Sequence, residues 1–192
     1  EQGALFTPPT NASVVINQGK NNTASADNKA KTAQHGGTGS STTINQDGDG
    51  NEAQTHQDDT GSTIAITQDG TSNKSQVNQL PFYASGGNSA TVNQTGELNS
   101  SYAAQDGDNN TLSATQSGLA NKVNQYQTGN GNLANSTQSG INGKVLQVQE
   151  GDGNVNNFVF QTGSDNYSES NQVGNDNEIF KGQQGSGNYG RV

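Results

Sequence analysis

The chain has 192 residues, a formal net charge of -9, only 26% hydrophobic residues, and no cysteine, methionine or tryptophan. This composition excludes a thick apolar core, disulfides and thiolate metal sites, and its eight scattered basic residues offer nucleic acid phosphates no clustered partner. No apolar run is long enough to cross a membrane as a helix, so no membrane span is expected.

In chain order, residues 1–11, with Pro8 and Pro9, follow no period and are expected to form a flexible N-terminal tail, a possible export segment. A first strand is predicted where Val14, Ile16 and Gln18 alternate, and a second where Asn28, Ala30, Thr32 and Gln34 do, with extra loop residues near Gly19 to Asp27 between them. Glutamine then recurs at Gln34, Gln46, Gln57, Gln68, Gln79, Gln94, Gln105, Gln116, Gln127, Gln138, Gln149, Gln161, Gln172 and Gln183. Ten of these thirteen intervals are 11 residues, two are 12, and the longest, Gln79 to Gln94, is 15 and places a further loop at Leu80 to Gly87. A last strand is read from Asn188 to Val192. Low hydrophobicity with net charge favours disorder, yet a disordered chain has no reason to hold Gln, Gly and Asn in fixed phase. A short fixed period marks a stacked architecture.

The unit reads Asn-x-small-x-small-x-Gln-x-Gly-x-x. Asn stands six before Gln at Asn51, Asn73, Asn88, Asn99, Asn110, Asn121, Asn132, Asn166 and Asn177. Gly stands two after Gln at Gly36, Gly48, Gly70, Gly96, Gly107, Gly118, Gly129, Gly140, Gly151, Gly163, Gly174 and Gly185, and these are read as turn glycines. Strand side chains alternate faces, so the Asn, the positions four and two before Gln, and Gln itself share one face. That face is expected inward, carrying Ile64, Ile66, Ala90, Val92, Leu112, Ala114, Val123, Ala134, Val145, Val159 and Ile179. Gln125, Gln147 and Lys181 fall on it too, and Lys181 fits it badly. Tyr102, Tyr126, Phe158, Phe160, Tyr167, Phe180 and Tyr189 have the opposite parity. The expectation is an all-β, two-sheet β-solenoid of cross-β, strand-turn-strand type over residues 12–192, with about 22 residues per turn and about 8 turns. Two glutamine columns result, in which each amide can donate to one neighbour and accept from the other.

Ser40 to Gln57 reads Ser-x5-Gln46-x-Gly48-x-Gly50-Asn51-x-Ala53-x3-Gln57, and Gln127-x-Gly129-x-Gly131-Asn132-x-Ala134-x3-Gln138 repeats its latter part. This resembles the curlin repeat of curli, the bacterial extracellular amyloid, and the resemblance covers roughly residues 12–192. It implies a secreted major subunit that polymerises with itself into cell-surface fibres of biofilm matrix, supporting adhesion and aggregation. It also implies a minor nucleating subunit and an outer-membrane secretion channel as partners. The segment from Glu1 to Thr10 is not Gly-rich, unlike the export segment of such subunits.

Two further readings stay open: a minor nucleator of the same fibre, and a monomeric β-solenoid binder such as an ice-binding protein, which needs a flat Thr ladder that does not recur in phase here. No enzyme is expected, since phosphate-binding loops and nucleophile elbows are missing. No cofactor or metal is assigned either: His35 and His56 have no partner at metal spacing along the chain. Asp47, Asp49, Asp69, Asp106, Asp108, Asp152, Asp165 and Asp176 are read as turn residues and gatekeeping charge, with calcium at Asp47 to Asp58 as the competing reading. Lys181, Arg191 and the Pro8-Pro9 tail are candidate blockers of the stack's ends, or ordinary solvated groups. Phe158, Phe160 and Phe180 should form an apolar stripe, either stacked rings or a lateral contact between filaments.

Overall fold

A computed structural model describes residues 11–19, 27–35, 38–80 and 86–192, except the side chains of residues 156 and 157. Residues 1–10 of the expected tail, Gly36 and the middles of both expected loops lie outside the described residues.

Inward and outward residues alternate wherever the glutamine period runs, and such alternation over six to ten residues is satisfied by a strand with one dry face. The strands are β1 (Ser13–Gln18), β2 (Lys29–Gln34), β3 (Ser41–Asp49), β4 (Glu52–Gln57), β5 (Thr63–Thr71), β6 (Lys74–Gln79), β7 (Ser89–Glu97), β8 (Ser100–Asp106), β9 (Thr111–Leu119), β10 (Lys122–Thr128), β11 (Leu133–Ile141), β12 (Lys144–Glu150), β13 (Val155–Ser164), β14 (Tyr167–Val173), β15 (Glu178–Ser186) and β16 (Tyr189–Arg191). The odd strands form one eight-stranded parallel sheet in the order β1-β3-β5-β7-β9-β11-β13-β15, and the even strands form the other, from β2 to β16. There is no helix among the described residues. The chain steps from sheet to sheet at every corner, so each sheet advances by a whole coil. Eight levels per sheet mean about seven coil steps rather than eight, typically 22 residues apart.

Register follows the glutamines: Gln94, Gln116, Gln138 and Gln161 stack directly, as do Gln105, Gln127 and Gln149. A slip of one residue would expose the whole inward set, which holds this register firmly. The corners differ between sheets. In the odd sheet, pairing continues beyond Gln through Gly48, Gly70, Gly96, Gly118 and Gly140, whereas the even strands from β2 to β14 stop at or one residue past Gln.

The core is a thin layer of aliphatic side chains, with Ile44, Ile64, Ile66, Val77, Val92, Leu112, Val123 and Val159 buried. No aromatic ring is buried among the described residues, because a gap this narrow has no room for one. Ile179 has inward parity but is only half-buried, since β15 is the sheet's last strand and nothing covers its far side.

Candidate assembly site: amide ladders and open edges

Each sheet carries one uninterrupted glutamine ladder. In the odd sheet Nε2 donates to the next Oε1 from Gln18 to Gln46 at 2.7 Å, then to Gln68 at 2.8 Å, Gln94 at 2.8 Å, Gln116 at 2.9 Å, Gln138 at 3.1 Å, Gln161 at 2.8 Å and Gln183 at 2.6 Å. In the even sheet the same relation runs through Gln34, Gln57, Gln79, Gln105, Gln127, Gln149 and Gln172 at 2.6 to 2.9 Å. The second Nε2 hydrogen of most members crosses the core to a backbone carbonyl of the opposite sheet, as from Gln116 to Ser100 at 3.0 Å and from Gln127 to Thr111 at 2.9 Å. Most buried amides thereby stitch level to level and sheet to sheet. Leaving such a group unpaired costs about 1 to 3 kcal/mol.

The asparagines and glycines form a second device. Nδ2 of Asn51, Asn73, Asn99, Asn121 and Asn166 donates to the carbonyl of Gly70, Gly96, Gly118, Gly140 and Gly185 one coil further on, at 2.8 to 3.1 Å. In the other column Asn88, Asn110 and Asn132 reach Gly107, Gly129 and Gly151 at 2.7 to 2.8 Å. The Asn Oδ1 accepts the backbone N–H of the residue stacked above, as Asn110 does from Asn132 at 2.9 Å. Asn177, near the C-terminal edge, is only half-buried; its Nδ2 reaches Asn154 Oδ1 at 2.9 Å and the Val173 carbonyl at 3.3 Å. Gly163 and Gly174 stand over Gly140 and Gly151.

Asn154 belongs to this column, buried and donating to Gly174 at 2.8 Å, although it stands seven before Gln161. The register shift between Val155 and Phe158 in β13 absorbs the extra residue. The 12-residue interval was the signal in the sequence, but it does not say whether strand or corner takes the insertion. At Ser62 the Asn is replaced, and Asp59 Oδ2 takes over, accepting from Asn88 Nδ2 at 3.0 Å and from the Ser62 hydroxyl. Burial pushes the Asp59 carboxyl above its ordinary range, against the lowering effect of those hydrogen bonds.

Gln125 and Gln147 are fully buried and paired at 2.7 Å. Gln125 Oε1 has no donor, because the residue stacked on its other side is Ala103. Lys181 occupies the inward column above Val159 and lies across the end of the core, with Nζ donating to the Glu169 carbonyl at 2.8 Å. Burial lowers its pKa, and the nearby Glu169 raises it. Gly190 makes room for it: a Cβ there would sit 2.6 Å from Lys181 Cε. Arg191 is mostly exposed and meets Glu169 at 3.4 Å.

Several turn carboxylates accept backbone or side-chain N–H groups: Asp47 Oδ1 from Gly48 N at 2.9 Å, Asp152 Oδ1 from Asn130 N at 2.8 Å and Asp165 Oδ1 from Asn142 Nδ2 at 3.2 Å. Phe158 and Phe180 stack with ring centroids 5.4 Å apart, and Tyr167 and Tyr189 at 5.1 Å. His35 and His56 do come together, with ring centroids 5.5 Å apart and Asp58 beside both. The parallel register stacks Ala33 on His56 and Gln34 on Gln57, a coil apart along the chain, so spacing within one segment could not reveal the contact.

At both ends the ladder is unfinished. Ile16 stacks on Ile44 in the same inward column, yet Ile16 is 42% exposed and Ile44 0%, because β1 is an outermost strand. Ser13 and Gly19 donate their N–H to the carbonyls of Ser40 and Gln46, so alternation along a parallel strand turns the N–H of Val14, Ile16 and Gln18 to the open edge.

Fold and ladders together define a parallel two-sheet β-solenoid with cross-β stacking. Residues 87–118, spanning β7, β8 and most of β9, match the family model of the curlin associated repeat. That segment is similar to a curlin repeat, and the repeat and the solenoid together fit a subunit of a curli-type amyloid. No curated protein matches the chain significantly.

Proposed function

We propose that the protein is a structural subunit that adds end to end to copies of itself, forming a secreted, extracellular amyloid fibre of the curli type that supports adhesion and biofilm matrix. The single observation that carries this reading is the shared direction of both glutamine ladders. Every Gln-to-Gln bond runs from Nε2 toward the C-terminal end, so one end of each column offers an acceptor and the other a donor. Two like ends cannot complete such a column, whereas head meeting tail can, and a heterologous contact of this kind has no stopping point. Exposed Val14, Val15 and Ile16 on β1 and Phe180 on β15 add apolar surface at the same two edges. Natural solenoids normally blunt such edges with caps. The role is structural, and no catalytic step is assigned to any residue. Partnership with a nucleating subunit and a secretion channel, and the place of major rather than minor subunit, belong to the same proposal.

The test places proline in β1. Ile16→Pro removes an N–H that faces the open edge and leaves the N–H groups bonded to β3 in place. It should slow seeded elongation while the monomer keeps its β-sheet spectrum. Unchanged elongation would count against this edge as a docking surface, and a chain that stays monodisperse without any blocking change would refute polymerisation altogether.

A further inference from the structure

We propose a divalent transition-metal site formed by His35, His56 and Asp58 at the N-terminal end of the even sheet. The fold builds it by stacking. His56 and Asp58 are two residues apart and leave β4 on the same face, while His35, immediately after β2, lies one strand away beside Asp58. His35 Nδ1 is 3.2 Å from Asp58 Oδ1, His56 Nε2 is 3.3 Å from the same oxygen, and one ligand atom of each of the three lies within 4.8 Å of the others.

Three features favour a cation over a simple ion pair. Zinc bonds of about 2.0 to 2.2 Å to nitrogen and oxygen in a tetrahedron set ligand atoms about 3.3 Å apart, so two of the three edges already have the required length. The remaining nitrogen-to-nitrogen edge closes by rotation of imidazoles that are 55% and 39% exposed. Asp58 Oδ1 is itself buried and accepts no hydrogen bond, so neither ring aims an N–H at it despite the short separations. Two imidazoles and one carboxylate form a donor set suited to zinc or a similar borderline divalent ion, leaving a further position for water or another ligand.

The consequence is mechanical. Among the described residues β2 is the outermost strand of its sheet and pairs only with β4, so a metal held by His35 from one and by His56 and Asp58 from the other pins that edge strand in place. The site does not depend on polymerisation.

Zinc chloride titrated calorimetrically into freshly desalted full chain should show one site per chain. His35→Gln with His56→Gln, and separately Asp58→Asn, should weaken it. Loss of an outer partner alone typically costs roughly 10 to 100-fold in metal affinity, and loss of a direct ligand should cost at least as much. Zinc should also slow amide exchange of β2 in the native chain and not in the double variant. Absence of a one-to-one heat, or binding unchanged in the double variant, would overturn the site. If the heat depends on these residues but β2 exchange does not change, the pinning is refuted.

Discussion

Asn121 Nδ2 donates at 3.0 Å to the carbonyl oxygen of Gly140, and that same oxygen lies 2.1 Å from where a Cβ on Gly118 would stand. One atom thus explains two positions of the repeat. Gly118 has to lack a side chain because the next coil's carbonyl occupies its place, and Asn121 supplies an amide N–H to that same carbonyl. Gly118→Ala should therefore prevent native stacking or cost several kcal/mol, since both the clash and a φ of +105° oppose it. Gly131→Ala, with φ +67° and nothing within 4 Å of the new Cβ, should cost only about 1 kcal/mol. Ala120→Gly, two residues from Gly118 but itself at φ +56°, should stabilise by up to about 1 kcal/mol. Denaturation midpoints of fresh monomer would rank the three.

Gly143 interrupts the asparagine column. Its N–H donates to Asn121 Oδ1 at 2.9 Å as the column requires, but with no side chain it passes no bond on. Gly143→Asn should supply an Nδ2 for the Gly163 carbonyl and an Oδ1 for the Asn166 N–H, each worth about 0.5 to 1.5 kcal/mol. The atoms nearest its new Cβ, at 3.0 to 3.2 Å, are the ends of Asn121, Gln138 and Gln161 side chains, which can give way. A raised melting temperature is expected. A lowered one would show that the column tolerates no further side chain there.

Gln116→Leu should break the odd-sheet ladder in its middle. Gln138 Oε1 loses its donor, Gln94 Nε2 loses one acceptor, and the Ser100 carbonyl loses its cross-core bond. At about 1 to 3 kcal/mol for each of these groups, the loss should reach at least about 3 kcal/mol. Asn93→Ser, on the exposed face of β7, should change stability by no more than about 0.5 kcal/mol. Equal effects of the two changes would deny the ladder its energetic role.

Lys181 carries its charge over the end of the core, and burial lowers its pKa from the ordinary 10.5. A cation whose folded pKa is depressed opposes folding while charged. Its stabilising contribution is complete above 10.5 and is lost as pH falls through the lower folded value. Lys181→Val should stabilise the terminal coil at neutral pH and flatten stability in that alkaline window. Under the proposed function it should also speed elongation, because inward charge at an edge strand is a common guard against pairing. Slower growth in the variant would argue that Lys181 assists docking.

Phe158 and Phe180 stack nearly in parallel, at 14°, with Phe180 75% exposed and Phe160 beside them 41% exposed. The stacked pair alone accounts for about 0.5 to 1.5 kcal/mol. Phe180→Ser should therefore lower stability by a comparable amount. Serine at all three positions should in addition thin filament bundles if the stripe is a lateral contact. Bundles of unchanged width would leave ring stacking as its whole role.

The sequence alone determined the parity of every strand, the coil length and the pairing of Gln with Gln, because parallel stacking without twist of register repeats whatever period the chain has. It therefore revealed which residues would share a column, Gln125 and Gln147 included. It could not reveal which carbonyl Asn121 satisfies, that Asn154 joins the column through a bulge, or that Asp59 stands in for an asparagine, since these are matters of reach across one coil. Nor could it bring His35 to Asp58. Those two residues meet only because stacking converts a separation of about one coil along the chain into a single strand spacing in space, and only the folded stack has that spacing.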